Sequence, residues 1–163
     1  MLKRTIPFIL FVLTCVFLAR GLQLNPQAMP SAQIGKQLPA SIDLQGMQGQ
    51  LIILHFWASW CDSCNQDVAE LKELHQKTHA KLLGVNYKDT AKALQRWLTI
   101  NQNIFDGLII DKQGLIAMDL GVVATPETFL IDKKGIIRYR HQGPLTMEII
   151  NKKIVPILQE YNK

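Results

Sequence analysis

Two cysteines three positions apart, Cys61 and Cys64, stand in the run Trp60-Cys61-Asp62-Ser63-Cys64, directly after the apolar segment Leu51 to Trp57. Where a strand hands over to a helix, that spacing makes a dithiol/disulfide redox centre. A helix starting at Cys61 sets this sulfur among unpaired backbone N–H groups and at the positive end of the helix dipole, and both favour a thiolate. Cys64, one turn on, lies on the same face and within reach. A free thiol of pKa ~8.5 is only about 3% ionised at pH 7, and lowering its pKa to ~7 makes it about half thiolate.

Cys-x-x-Cys also opens zinc ribbons, but those need a second ligand pair at suitable spacing. The remaining cysteine is Cys15, inside an apolar N-terminal stretch, and His55, His75, His79 and His141 form no His-x3-5-His motif around another cysteine. His75 and His79, four apart on an expected helix, read as a solvated face. No metal and no cofactor are expected.

The chain has 163 residues, 48% apolar and 19% charged, which suits one compact domain with an appendage. Lys3 and Arg4 precede an uncharged stretch from Thr5 to Ala19, which is followed by Arg20 and a polar, Pro-containing segment. A signal peptide or a membrane anchor fits this pattern. Phe17-Leu18-Ala19 lacks the small residue that cleavage wants at its first position, which favours an uncleaved anchor. Two basic residues before the stretch and one after it put the N-terminus in the cytoplasm and the domain outside. Without Lys3, Arg4 and Arg20 the remainder carries a net charge of only about +2, so nucleic acid is not an expected partner. The expected organisation is an anchor over residues 1–24, a linker over 25–32 and a domain over 33–163.

Beyond the linker the hydrophobic period alternates. Leu51 to Trp57 reads as a buried parallel strand, and Asp62 to Thr78 carries Val68, Leu71 and Leu74 at helical spacing. Lys81 to Tyr87 is a strand candidate, and Thr90 to Asn101 is helical through Ala93, Leu94, Trp97 and Leu98. Phe105 to Asp111, Glu127 to Asp132 and Gly135 to His141 read as strands with turns between them. Ile110-Asp111-Lys112-Gln113-Gly114 and Ile131-Asp132-Lys133-Lys134-Gly135 share one Asp-to-Gly turn chemistry, and the second copy reads as a β-hairpin. A last helix spans Thr146 to about Tyr161, with Pro156 expected to bend it.

Phe56-Trp57-Ala58-Ser59-Trp60-Cys61-x-x-Cys64, followed by a helix and later by Thr125-Pro126, resembles thioredoxin over residues 33 to 161. Gly84-Val85-Asn86-Tyr87-Lys88-Asp89, the block Gly121 to Asp132 and the tail Gly135 to His141 are similar to the membrane-anchored thiol:disulfide interchange proteins of cytochrome c maturation, the DsbE or CcmG family. The resemblance implies an α/β, thioredoxin-like fold, a central mixed sheet flanked by helices, with an N-terminal membrane anchor helix. It implies a periplasmic reductant held to the bacterial inner membrane through residues 5–24. Its substrate would be the Cys-x-x-Cys-His disulfide of apocytochrome c, reached directly or through the haem-attachment machinery. A DsbD-type membrane protein would recharge it.

By the same resemblance Cys61 attacks and Cys64 resolves, Trp60 walls the site, and Ser63 lies between the cysteines. Pro126 is cis beside the dithiol, Thr125 offers its backbone to an extended substrate, and Glu127 occupies an acidic position near the active site; the bland readings are a turn proline and a solvated strand-start glutamate. Asp62 departs from the proline usual after the first cysteine. Its carboxylate favours the helix start but opposes a neighbouring thiolate, and the expected net effect is a higher Cys61 pKa and a more reducing disulfide. His55 stands where thioredoxins bury an acid under the dithiol, and reads either as a proton shuttle or as a hydrogen-bonded core histidine. A broader extracytoplasmic reductase is the nearest rival. Copper delivery fits less well, because such proteins use Cys-x3-Cys with a distal histidine, here His141. The Thr-x-x-Cys environment of a peroxidase is absent around Cys61.

Overall fold

The computed structural model describes residues 10–18, 20, 33–44 and 46–162. The chain divides into two compact units, Met1–Pro30 and Ser31–Lys163. In the first, residues 10–18 are helical, with Phe11 and Phe17 among the exposed apolar side chains. Among the described residues no helix is long and apolar enough to cross a membrane. The rest of the anchor expected over residues 5–24 lies outside the described residues, apart from Arg20.

The second unit is built on β1 (Ile52–Trp57), whose six residues are all buried. Its continuous apolar run suits a strand covered on both faces rather than one with a wet side. The chain then forms α1 (Asp62–Thr78), β2 (Lys81–Tyr87), α2 (Ala91–Asn101), β3 (Gly107–Asp111), α3 (Leu115–Leu120), β4 (Glu127–Ile131) and β5 (Ile137–Gln142). It ends with α4 (Met147–Ile149), a π-helical turn (Ile150–Ile154) and α5 (Val155–Tyr161). The sheet order is β3-β2-β1-β4-β5, with β1, β2 and β3 parallel and β4 antiparallel to both β1 and β5. This is the mixed sheet that the sequence led us to expect.

Two apolar layers clamp the sheet. On one face Ile53, Trp57, Leu82 and Leu130 meet Leu71 and Leu74 of α1, Trp97 of α2, and Ile150, Ile154 and Leu158 of the C-terminal helices. On the other, Leu54, Phe56, Leu83, Val85 and Phe129 meet Ala117 and Leu120 of α3 and the earlier residues Leu38, Ile42 and Met47. Each fully buried Leu, Ile or Phe contributes roughly 1.5–3 kcal/mol of transfer free energy.

Two expectations need correction and a third is made specific. Between the strand candidates Phe105 to Asp111 and Glu127 to Asp132 only turns were expected; the first Asp-to-Gly turn instead opens α3, because the Asp111 carboxylate accepts the Ala117 N–H at 2.9 Å and so caps a helix start. In the second copy Asp132 instead accepts from Lys134 and Ile136, at 2.8 and 2.9 Å, closing the β4–β5 hairpin. β3 starts at Gly107 rather than Phe105, whose ring turns into the core and stacks on Trp57 at 5.3 Å. Around Pro156 the helix widens into the π-helical turn directly ahead of the residue that has no N–H to give.

Gly84 sits at the centre of β2, where an added Cβ would lie 2.9 Å from both the Phe105 ring and the Trp57 indole nitrogen. Gly84→Ala should therefore overpack the inner face and lower stability by about 1–3 kcal/mol. Urea unfolding of the oxidised variant checks this, and an unchanged midpoint would show that the aromatic cluster yields freely.

Candidate active site

Cys61 and Cys64 are joined as a disulfide, their Cα atoms 5.3 Å apart. Cys61 is the N-cap of α1, in an extended conformation, and its sulfur accepts the Cys64 N–H at 3.2 Å. A thiolate there keeps this donor and gains the positive end of a 17-residue helix. Both cysteines are buried, whereas Trp60 is 57% exposed and donates its indole N–H to the Lys88 carbonyl at 3.2 Å. Ser63 places its hydroxyl 3.5 Å from the Cys61 sulfur, and Asp62 points to solvent in the first turn of α1.

The loop before Cys61 is fastened by a residue that the sequence reading did not single out. Asp89 accepts from the Ser59 N–H at 2.7 Å, the Ser59 hydroxyl at 2.9 Å, Asn86 at 3.0 Å and the Thr90 N–H at 2.7 Å. Burial alone would raise its pKa, but these bonds outweigh it and hold the carboxyl below its ordinary value. Its position just before an N-cap threonine was the available signal.

The Thr125-Pro126 bond is cis. In the antiparallel register Phe56 faces Glu127, so Pro126 lies at the end of the sheet where β1 gives way to Cys61. Among the described residues the Thr125 hydroxyl is buried without a partner, and no hydrogen bond joins the Thr125 backbone to them. Glu127 is not a solvated strand-start residue. It is buried and ion-paired with Arg140, whose other nitrogen reaches the Gly121 carbonyl at 2.8 Å. Burial raises the Glu127 pKa against the opposing pull of Arg140.

His55 shares a cross-strand row with Gly84, Thr128 and His141 on the face that α1 covers. Its Nδ1 is 3.0 Å from the Thr128 hydroxyl, and its Nε2 lies 4.0 Å from Oδ2 of Asp67. Neither of those two facing atoms has a hydrogen-bond partner among the described residues. Asp67 is fully buried and accepts the Leu145 N–H through its other oxygen at 2.9 Å. It too was missed from sequence. The signal was its place three residues after Cys64, on the inner face of α1. The remaining histidines do not converge: His75 pairs with Asp106 at 2.9 Å, His79 ends α1 in a left-handed conformation, and His141 approaches the Pro144 carbonyl at 3.1 Å.

Comparison with known proteins agrees with this geometry. The model of the AhpC/TSA family matches residues 26–140. The thiol:disulfide interchange protein DsbE of Pseudomonas aeruginosa is 36% identical, over 98% of this chain and 96% of its own. DsbE of Escherichia coli K12 is 35% identical, over 97% of this chain and 94% of its own. The chain belongs to the DsbE family. A secreted thiol-disulfide isomerase from Corynebacterium glutamicum shares the fold at a TM-score of 0.62 and 23% identity, over 72% of this chain and 76% of that one. The present DsbE-family chain is thus a thiol:disulfide oxidoreductase with a thioredoxin-like α/β fold.

In this DsbE-type site the buried acid comes from α1 and the histidine from β1. Burial pushes the Asp67 carboxyl up to about 7, with the Leu145 N–H opposing and Glu70 adding to the rise. Burial, with the nearby His141 adding to it, pushes the His55 imidazole down to about 3. Near pH 5 the folded pair therefore holds its proton on Asp67. In the unfolded chain, where Asp ionises near ~3.9 and His near ~6.5, the proton sits on His55. Folding moves one proton and takes up none, so the pair leaves stability almost independent of pH from about 4 to 6.5.

Single substitutions should expose the two opposed halves. In His55→Gln only the raised carboxyl remains, and the stability it contributes below about pH 4 is lost as pH rises towards 7, by up to about 1.4 kcal/mol per unit. In Asp67→Asn only the lowered imidazole remains, and stability rises with pH from about 3 to 6.5. Urea titrations at pH 4.5 and 6.5 read both slopes, and parallel profiles in the two variants would rule out the pair.

Proposed function

We propose that this protein is a periplasmic reductant anchored to the inner membrane through residues 5–24, and that it reduces the Cys-x-x-Cys-His disulfide of apocytochrome c before haem attachment. The observation that carries the redox chemistry is Cys61 as the cap of α1, bonded to Cys64 behind it. The physiological role is supported by relatives aligned along nearly the whole chain and named as DsbE, and by the apolar stretch Thr5 to Ala19 between basic residues.

In the reduced form the Cys61 thiolate attacks one sulfur of the substrate disulfide, forming a mixed disulfide and expelling the other sulfur as a thiolate. Cys64 then loses its proton and attacks the Cys61 sulfur. The products are the Cys61–Cys64 disulfide and two substrate thiolates, which take up the proton released by Cys64 and one from solvent, so two electrons pass to the substrate. Asp67, one helical turn from Cys64, is suited to hold a proton near neutral pH during this step. The free backbone of Thr125, beside the cis proline, is available to align an extended substrate strand. The substrate meets Cys61 directly or is presented by the haem-attachment machinery, and a DsbD-type membrane donor then returns the electrons.

The first test is the Cys61–Cys64 potential against a glutathione or dithiothreitol ladder. A value near ~−270 mV, or modestly above it, fits a reductant, and one close to ~−120 mV identifies an oxidant and overturns the proposal. With an oxidised Cys-x-x-Cys-His peptide, Cys64→Ser should accumulate a mixed disulfide visible by mass and Cys61→Ser should not; the reverse pattern would reassign the nucleophile. Asp62→Asn removes a charge beside Cys61, so the Cys61 pKa should fall and the potential become more oxidising by roughly 10–30 mV. A shift in the reducing direction would show that the helix-dipole effect of Asp62 dominates.

A further inference from the structure

A cleft of about 620 Å³ opens beside Ser59, two residues before Cys61. Ser59 and Asn65 form its wall on the dithiol side, and Lys92, Arg96, Trp97 and Ile100 of α2 line the other. Its floor is fixed, because the Trp97 indole N–H donates to Asn65 at 2.6 Å and Trp97 packs on Trp57 with ring centres 4.0 Å apart. Ile100, by contrast, is 71% exposed.

The charges on this cleft are unbalanced. α2 contains no acidic residue, and Lys92 and Arg96, four apart on one helix, repel each other. Two exposed lysines on the other helices have acids at that spacing, Lys77 with Glu73 at 2.6 Å and Lys152 with Glu148 at 2.9 Å. Among the described residues Lys92 and Arg96 form no ion pair, and Asp89, at the head of α2, is occupied by Ser59, Asn86 and Thr90. A cationic pair next to an exposed isoleucine, in a cleft bordered by Ser59 and Asn65 on either side of the dithiol in sequence, is complementary to an acidic, partly apolar chain.

We propose that the cleft binds an acidic segment of the redox partner that flanks the partner's cysteines. This deepens the reading of Cys61 as the attacking thiol and rests on it. Four helical residues rise about 6 Å, close to two residues of extended chain, so the segment matches carboxylates two positions apart with an apolar side chain two positions further on.

The test uses the full chain and two synthetic peptides, one with a Glu-Ser-Glu-Ser-Leu flank beside its Cys-x-x-Cys pair and one with lysines in place of the glutamates. In the binding arm both peptide cysteines are replaced by serine and the protein is oxidised. The acidic peptide should shift the Trp97 indole N–H resonance and bind at least tenfold more tightly than the lysine peptide at low salt, with the preference shrinking as salt is added. The double charge reversal K92E/R96E should invert the preference, whereas K133E/K134E, the same change at the far end of the sheet, should keep it. Absence of binding, equal affinities, or a preference that survives K92E/R96E would overturn the proposal.

In the exchange arm the reduced protein is given the disulfide forms of both peptides. Equal rates overturn the cleft while leaving the reductant reading intact. Reduction of neither peptide overturns the reductant reading, and the binding arm then decides the cleft alone.

Discussion

β1 is buried along its whole length on both faces, and the rest of the second unit is arranged around that requirement. A strand with no wet side needs hydrogen-bonding partners at both edges and an apolar layer over each face. β2 and β4 supply the edges, α1, α2 and the C-terminal helices cover one face, and α3 with residues 38–47 covers the other. The chain leaving such a strand emerges at the middle of the sheet's end, and α1 must turn back there to reach its face. Cys61 stands at that turn. Its sulfur meets a helix N-terminus because the burial of β1 leaves the helix nowhere else to start.

The same layer that buries the apolar side of α1 also buries Asp67 and His55. Withdrawing a carboxyl and an imidazole from water is costly when their facing atoms lack hydrogen bonds, and the pair lowers that cost by exchanging a proton and becoming uncharged. The result is a group that changes protonation near pH 7 one turn from Cys64. Glu127 and Arg140, on the opposite face of the sheet, meet the same difficulty in another way, as a direct ion pair.

Asp89 links the dithiol to its surroundings. One carboxylate anchors Ser59, before the cysteines, and the head of α2, which carries Lys92, Arg96 and Ile100. The redox loop and the cleft beside it are therefore held in register by shared hydrogen bonds.

Much of this was legible in the sequence because it depends on neighbours along the chain. The limits of α1 and β2, the helix beginning near Thr90, the Asp132-to-Gly135 hairpin and the dithiol itself rest on local periodicity, turn chemistry and spacing. The helix after the first Asp-to-Gly turn was missed because that turn's local chemistry is the same as that of the second. Whether the next segment coils or extends was decided by where the carboxylate found a donor, Ala117 in one copy and Ile136 in the other. The partners of His55, Glu127 and Asp89 were equally hidden, since each is supplied by a residue on another element that only the sheet register and helix docking bring near. By itself the sequence determined which residues could carry electrons and which segments would be strand or helix, since those properties reside in side chains and their immediate spacing. Tertiary structure alone decided which acids lost their water and which cations were left without a partner, because desolvation and pairing are set by what the folded chain places beside each group.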